Sequence, residues 1–374
     1  MEIAFIDLAQ QQARIREKID TGLTTVLNHG AYIMGPEVGA LERRLGDWTQ
    51  ATHNISCSSG TDALLLALHG LKLRPGEGVI VPSFTFAASA EVMPTMGAVP
   101  IFAEVEADSF NLDPNKLGAA LAAGQAANID VVGIIGVGLF GQPANYDAIR
   151  TFANTHNLWL VDDAAQSFGA QWQGRPVGQL ADVTCTSFFP AKPLGAYGDG
   201  GAVFTNDDMI ADIMRSCRIH GMGKDKYENV RIGMTGRLDS IQAVVLDAKL
   251  DIFEEELVLR QAVADRYQNL IGDIVCVPQL TAGATSSWAQ YCIKLPKRSN
   301  RDHVINHLSA RGVPTAIYYP IPMHKQPPYQ DFPQSQCGLG VTLDLCRRVL
   351  ALPMHPYLDE VQQQYIAVEL RNAL

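Results

Sequence analysis

Apolar residues at Ile15, Ile19, Leu23, Val26 and Leu27 recur near the period of a helix and stop at Asn28-His-Gly30, which predicts an amphipathic helix closed by glycine. A second helix is expected from Pro36 through Val38, Leu41, Leu45 and Trp48. A third is expected over residues 63–70, where leucines and alanines follow the small residues Ser58-Ser-Gly-Thr61. Between and after these lie short unbroken apolar runs within 78–83, 98–103, 129–135 and 158–161. They are short and do not alternate with polar residues, so they read as strands buried on both faces.

Residues 84–89 are expected to open another helix, and 146–156 form one more between the last two strands. This strand, helix, strand rhythm predicts an α/β fold with a mostly parallel sheet under helices and ligands at the carboxyl ends of its strands. Strands over 183–189 and 201–205 would tether the loop between them at both ends. From 238 to about 270 one long helix is expected, with Glu254-Glu-Glu256 as a solvated face. Beyond it come a strand over 287–295, a helix over 301–311, a strand over 315–319 and an irregular, proline-rich loop over 320–329. The expected organisation is a large domain over 1–250, including an N-terminal segment, and a small C-terminal α/β domain over 251–374.

With 47% hydrophobic and 18% charged residues, the 374-residue chain is compositionally globular. Its net charge of −10 argues against a nucleic-acid partner, which needs concentrated lysine and arginine. The start carries no signal-peptide pattern and no apolar stretch reaches the length of a membrane span, so a cytoplasmic protein is expected. The seven cysteines (57, 185, 217, 276, 292, 337 and 346) include no Cys-x-x-Cys pair, so reduced thiols are expected and neither a metal site nor a disulfide framework.

The chemistry concentrates in two places. Lys192 sits in Ser187-Phe-Phe-Pro-Ala-Lys-Pro-Leu-Gly195, followed by Gly198-Asp-Gly-Gly201. A lysine held in a shaped, partly desolvated loop loses its proton more readily and can attack an aldehyde. The strand at 158–161 ends in Asp162-Asp163, with Gln166 close behind. A carboxylate there would keep the ring nitrogen of pyridoxal phosphate (PLP) protonated, although an aspartate after a strand also serves as a helix cap. Ser187, Gly60 and Thr61 offer hydroxyls and helix N-terminal amides to a phosphate, and the same Ser-Gly-Thr stretch also reads as a plain cap. Phe84 is a candidate to stack on the ring and Gln166 to donate to its phenolic oxygen; either reads equally as core or loop.

Six ordered motifs carry a resemblance: 59–64, 82–86, 162–169, 187–195, 198–201 and 237–243. Together they resemble the DegT/DnrJ/EryC1/StrS family of nucleotide-sugar aminotransferases over essentially the whole chain. The resemblance implies the aspartate aminotransferase type of PLP fold (fold type I). It also implies a homodimer with shared active sites, and transfer of an amino group from glutamate to a nucleotide-linked keto-sugar. Lys192 would then hold the cofactor covalently and Asp163 would face its ring nitrogen, with Gln166, Phe84, Gly60, Thr61 and Ser187 as further cofactor contacts. Thr235 stands where family members commonly carry an asparagine that reaches the partner's phosphate site, so its shorter hydroxyl is the expected substitute.

The segments at 5–12, 187–190 and 319–327 look like the branch that aminates C3 of UDP-2-acetamido-2-deoxy-3-oxo-glucuronate for bacterial surface polysaccharides. His220, Tyr319, His324 and a partner's Arg231 are the candidates for the substrate side. The alternatives are amination of a keto-6-deoxy sugar on dTDP or UDP, and a non-enzymatic sugar-binding regulatory or scaffold protein with an occluded pocket. Sugar dehydration is disfavoured, because members that dehydrate have histidine where this chain has Lys192.

Overall fold

The protein is described from a computed structural model covering residues 3–374. Its N-terminal helices, α1 (Leu8–His29) and α2 (Pro36–Thr49), match the apolar period. Asp7 caps α1 by accepting from the Gln10 N–H, and Gly30 closes it at φ 70°, a left-handed turn open to glycine at little cost.

Seven strands build the main sheet: β1 (His53–Cys57), β2 (Gly78–Pro82), β3 (Val99–Ala103), β4 (Val131–Val137), β5 (Trp159–Asp163), and, past the short hairpin of β6 (Gln171–Trp172) and β7 (Arg175–Pro176), β8 (Val183–Ser187) and β9 (Gly201–Thr205). Their order is β1-β9-β8-β5-β4-β2-β3. Only β9 runs against its neighbours, so the sheet is mixed but mostly parallel.

Alternation along the strands sorts side chains to two cores. Val79, Val81 and Val161 pack with α3 (Gly60–Gly70), α4 (Ala88–Thr95) and α7 (Asp208–Cys217). Ile80, Ile134 and Leu160 pack with α5 (Leu117–Ala126) and α6 (Tyr146–Thr155) on the other face. Coverage on both faces is why these strands read as unbroken apolar runs.

The helix expected over 238–270 is two helices, α8 (Ser240–Leu250) and α9 (Phe253–Ile271). The break lets them serve different cores. Ala243, Leu246 and Leu250 join α2 and Phe204 of the sheet, whereas Val263, Tyr267 and Ile271 join a separate core with β10 (Tyr291–Lys294), α10 (Arg301–Ala310), β11 (Val349–Leu352) and α12 (Glu360–Ala373). α11 (Gly340–Arg348) supplies Leu345 and Cys346 to a further cluster that also holds Phe84 and Val137.

Four local expectations are corrected. Residues 84–87 form a loop before α4, and β10 is shorter than the strand expected over 287–295. The stretch 315–319 makes only an isolated bridge, Ala316 to Ala351, between Pro314 and Pro320, which have no N–H to extend a ladder. Glu256 is buried rather than solvated: its carboxylate accepts from Gln11 at 2.8 Å and from the Tyr357 hydroxyl, while Glu254 and Glu255 are exposed. The seven cysteines are free thiols.

Candidate active site

β4, β5 and β8 end at Val137, Asp163 and Ser187, and these three residues line a pocket of about 420 Å³ that also meets the N-terminus of α3. That is where a mostly parallel sheet presents ligand, because the loops leaving strand ends diverge there.

Gly60 and Thr61 open α3, and Ser59 caps it by accepting from the Asp62 N–H at 3.0 Å. The first amides of a helix have no partner within it and attract an anion. Ser187 closes in from β8: a Cβ on Gly60 would stand 2.6 Å from the Ser187 Cβ. Glycine is therefore required for the two elements to form one cradle, which has the size and donors that suit a phosphate.

The two adjacent carboxylates part company at the end of β5. Asp162 turns to the α6 face, where it accepts from the Tyr146 hydroxyl at 2.5 Å, and burial pushes its carboxyl up to about 7. Asp163 faces the pocket, where its Oδ2 accepts from the Ser89 hydroxyl at 2.7 Å and its Oδ1 from the Ala165 N–H at 3.2 Å. Burial raises the Asp163 carboxyl; the Ser89 and Ala165 hydrogen bonds and the charge of Lys192 pull it back.

Lys192 lines the same pocket. Its N–H donates to the Phe189 carbonyl at 2.8 Å, so the turn that carries it is closed locally. Burial lowers the ammonium below its usual value, and the charge of Asp163 partly offsets this. The outcome is an amine that gives up its proton more easily than a surface lysine.

Phe84, the candidate to stack on the ring, does not line the pocket. Phe84 is 1% exposed and lies in a ring cluster with Phe110, Phe140 and Tyr319, at centroid distances of 6.1 to 6.3 Å. Phe86, two residues on, lines the pocket and is 55% exposed. The chain leaving β2 sends residue 84 back into the core and residue 86 out. Two substitutions separate these roles. Phe84→Ala is expected to destabilise the protein by about 3–5 kcal/mol in thermal or denaturant unfolding. Phe86→Ala is expected to change stability by under about 0.5 kcal/mol but to weaken PLP binding about fivefold in a titration.

Gln166 lines the pocket as expected: its Oε1 accepts from the Phe140 N–H at 2.7 Å and its Nε2 donates to the Tyr319 hydroxyl at 3.1 Å. One amide N–H is left over for a ligand. Tyr319 is also in the lining, and burial raises its phenol. His324 is not. Its Nδ1 lies 2.6 Å from the buried Ser83 hydroxyl, and burial lowers the imidazole to about 4, so it fastens the 323–325 turn to the end of β2 as a neutral ring.

His220, Arg231 and Thr235 are exposed on the segment between α7 and α8, outside this chain's own pocket lining. The Thr235 hydroxyl pairs with His220 Nε2 at 3.0 Å, and Arg231 lines a separate open cleft with His69 and Met96. Pocket residues that sequence reasoning passed over are Phe86, Ser89, Asp199, Gln290 and Tyr318. Phe86 and Asp199 lie in the motifs at 82–86 and 198–201 and Ser89 in the run at 84–89, whereas Gln290 and Tyr318 stand in no motif.

A family model described as the DegT/DnrJ/EryC1/StrS aminotransferase family matches residues 13–371. The chain belongs to that family. Its sequence is 45% identical over 371 residues to the UDP-2-acetamido-2-deoxy-3-oxo-D-glucuronate aminotransferase of Pseudomonas aeruginosa, covering 99% of this chain and 100% of the relative. A family aminotransferase from Brucella abortus superposes with a TM-score of 0.96 at 45% identity, covering 99% of both chains. NtdA of Bacillus subtilis, solved with the cofactor PMP bound, superposes with a TM-score of 0.88 at 28% identity, covering 99% of this chain and 83% of NtdA. The α/β architecture expected from the motifs is the one these structures share.

Aminotransferases of this family depend on PLP, and the residues present suit it. The Gly60–Ser187 cradle would suit the phosphate, Lys192 makes no ion pair among the described residues and would be available to an aldehyde, and Asp163, in the same lining, would suit the ring nitrogen.

Proposed function

We propose that this chain transfers the amino group of glutamate to C3 of UDP-2-acetamido-2-deoxy-3-oxo-glucuronate, giving the 3-amino sugar for bacterial surface polysaccharide in the cytoplasm. The acceptor is taken from the Pseudomonas aeruginosa relative. The observation that carries the chemistry is the placing of Lys192 and Asp163 in one pocket.

Bound PLP supplies a conjugated ring that spreads the electron pair left when a proton is removed next to the reacting nitrogen. This chain's residues do the rest. Gly60, Thr61 and Ser187 would hold the phosphate, Phe86 would pack on the ring, and Asp163 would supply negative charge to the ring nitrogen. Lys192 would take the proton from the α-carbon of glutamate. In the second half-reaction it delivers a proton to C3 of the sugar. Two half-reactions sharing one pocket give ping-pong kinetics.

The active unit is read as a homodimer with shared sites. Among the described residues Lys192 is the one cationic side chain lining the pocket, yet the ligands bring a phosphate, the carboxylates of glutamate and a uronate. The missing positive charge is assigned to Arg231 of a second copy, with Thr235 and His220 beside it. Exposed Tyr32, Ile33 and Met34 next to the start of α8, and Tyr227, Val230 and Ile232 around Arg231, give that copy apolar surface to cover. Within each chain, we read the boundary between large and small domains near residue 250, a reading that the break between α8 and α9 supports.

The test is an amino-transfer assay with glutamate against UDP- and dTDP-linked keto-sugars. The 3-oxo-glucuronate should be preferred in kcat/KM by at least about tenfold. Preference for a dTDP-linked keto-6-deoxy sugar would replace the acceptor while keeping the chemistry.

A further inference from the structure

Two hydroxyls stand behind Asp163. Ser89, in the first turn of α4, donates to Asp163 Oδ2 at 2.7 Å, and the Thr85 hydroxyl lies 3.0 Å from the Ser89 oxygen. All three residues are buried, with exposures of 3% for Thr85, 1% for Ser89 and 5% for Asp163. All three line the pocket.

Resting on the reading of this pocket as a PLP site, we infer that Thr85 and Ser89 form a one-way hydrogen-bond relay that positions Asp163 against the cofactor's ring nitrogen. The direction follows from donor counting. An ionised carboxylate only accepts, so the single Ser89 proton is committed to Asp163. The Ser89 oxygen then accepts, and the Thr85 proton must point to it. The relay joins the end of β5 to the β2–α4 connection, so it holds the carboxylate in one rotamer and leaves its remaining lone pairs for the ring.

The other titratable groups facing Asp163 cannot do this. Lys192 supplies charge but, among the described residues, no hydrogen bond to Asp163; Asp162, when ionised, carries the same sign as Asp163, and the Tyr146, Cys185 and Tyr319 groups disfavour a nearby negative charge once ionised. Of the influences that favour the ionised form of Asp163, the Ser89 hydrogen bond is the largest, ahead of the Ala165 N–H and Lys192. Ser89 and Thr85 are therefore positioning residues that act through Asp163.

The experiment uses full-length protein reconstituted with PLP and follows the visible absorbance of the bound cofactor against pH, with cofactor affinity and steady-state kinetics alongside. Ser89→Ala should move the absorbance titration away from the wild-type curve and lower kcat on the order of tenfold, with the KM for glutamate near unchanged. Ser89→Thr keeps a hydroxyl and should restore most of both. Thr85→Val, which removes only the outer link, should shift the titration in the same direction with a loss of about threefold. It also carries the test should Ser89→Ala fail to fold.

A wild-type titration in Ser89→Ala, or a Ser89→Thr no better than Ser89→Ala, would overturn the relay. Wild-type protein that takes up no PLP overturns the site reading itself, so the two failures are distinguishable.

Discussion

Lys192→Ala is expected to lower amino transfer on the order of ten-thousand-fold or more while leaving the fold intact. The loss is large because one group has two duties, attachment of the cofactor aldehyde and proton transfer at the reacting carbon, and no other pocket-lining amine among the described residues can replace it. The fold survives because the side chain makes no ion pair among those described, and Asp163, which loses a favourable charge, keeps its hydrogen bonds from Ser89 and Ala165. Two measurements check this. Borohydride reduction followed by mass spectrometry should find the cofactor on wild-type protein and none on the variant, and thermal melting should agree between the two apo proteins within a few degrees. Lys192→Arg should be equally inactive, since a guanidinium keeps the charge but offers no neutral amine. Covalent cofactor in Lys192→Ala would place the attachment elsewhere. The pH dependence has a definite sign. Burial lowers the Lys192 ammonium, so the neutral amine, and with it the proton-transfer rate, grows as pH rises toward that lowered value.

Asp163→Asn is the second large effect, with an expected fall in kcat of about a hundred- to a thousandfold, of the size seen when one preorganised electrostatic partner is removed from an enclosed site. The amide preserves shape and can still accept from Ser89, so the protein should fold and take up PLP. What it lacks is the negative charge that keeps the ring nitrogen protonated. The absorbance of the bound cofactor should therefore differ from wild type at neutral pH, and the defect should not yield to higher PLP concentration. Asp162→Asn is the matched control. Asp162 is turned to Tyr146 on the opposite face of the sheet, so its substitution should affect stability more than kcat. Equal losses of kcat in both variants would contradict the assignment.

These two carboxylates mark the limit of what could be read along the chain. Their neighbourhood was legible, since an apolar run ending in acid is a strand with its carboxyl end at ligand. The strict alternation of a strand also guarantees that Asp162 and Asp163 point to opposite faces. Which face holds the pocket is a property of the helices that cover it, and only the packing of α4 on one side and α6 on the other puts Asp163 rather than Asp162 in the pocket lining. The choice between Phe84 and Phe86 is of the same kind. Both belong to one motif, and neither period nor composition separates them. The aromatic cluster that claims Phe84 draws Phe110, Phe140 and Tyr319 from three distant stretches of the chain.

Most of the helices, the short buried strands, the glycine-bracketed loop around Lys192 and the capped start of α3 were determined by the sequence alone, because caps, apolar period and glycine content act over a few residues. The tertiary structure decided the break between α8 and α9, the burial of Glu256, the removal of His324 from the pocket and the approach of Ser89 to Asp163. The last three depend on a partner tens to hundreds of residues away: Gln11 for Glu256, Ser83 for His324, and β5 for Ser89. A local pattern can specify which face a side chain takes within its own element, but what that face meets is set by how the elements pack.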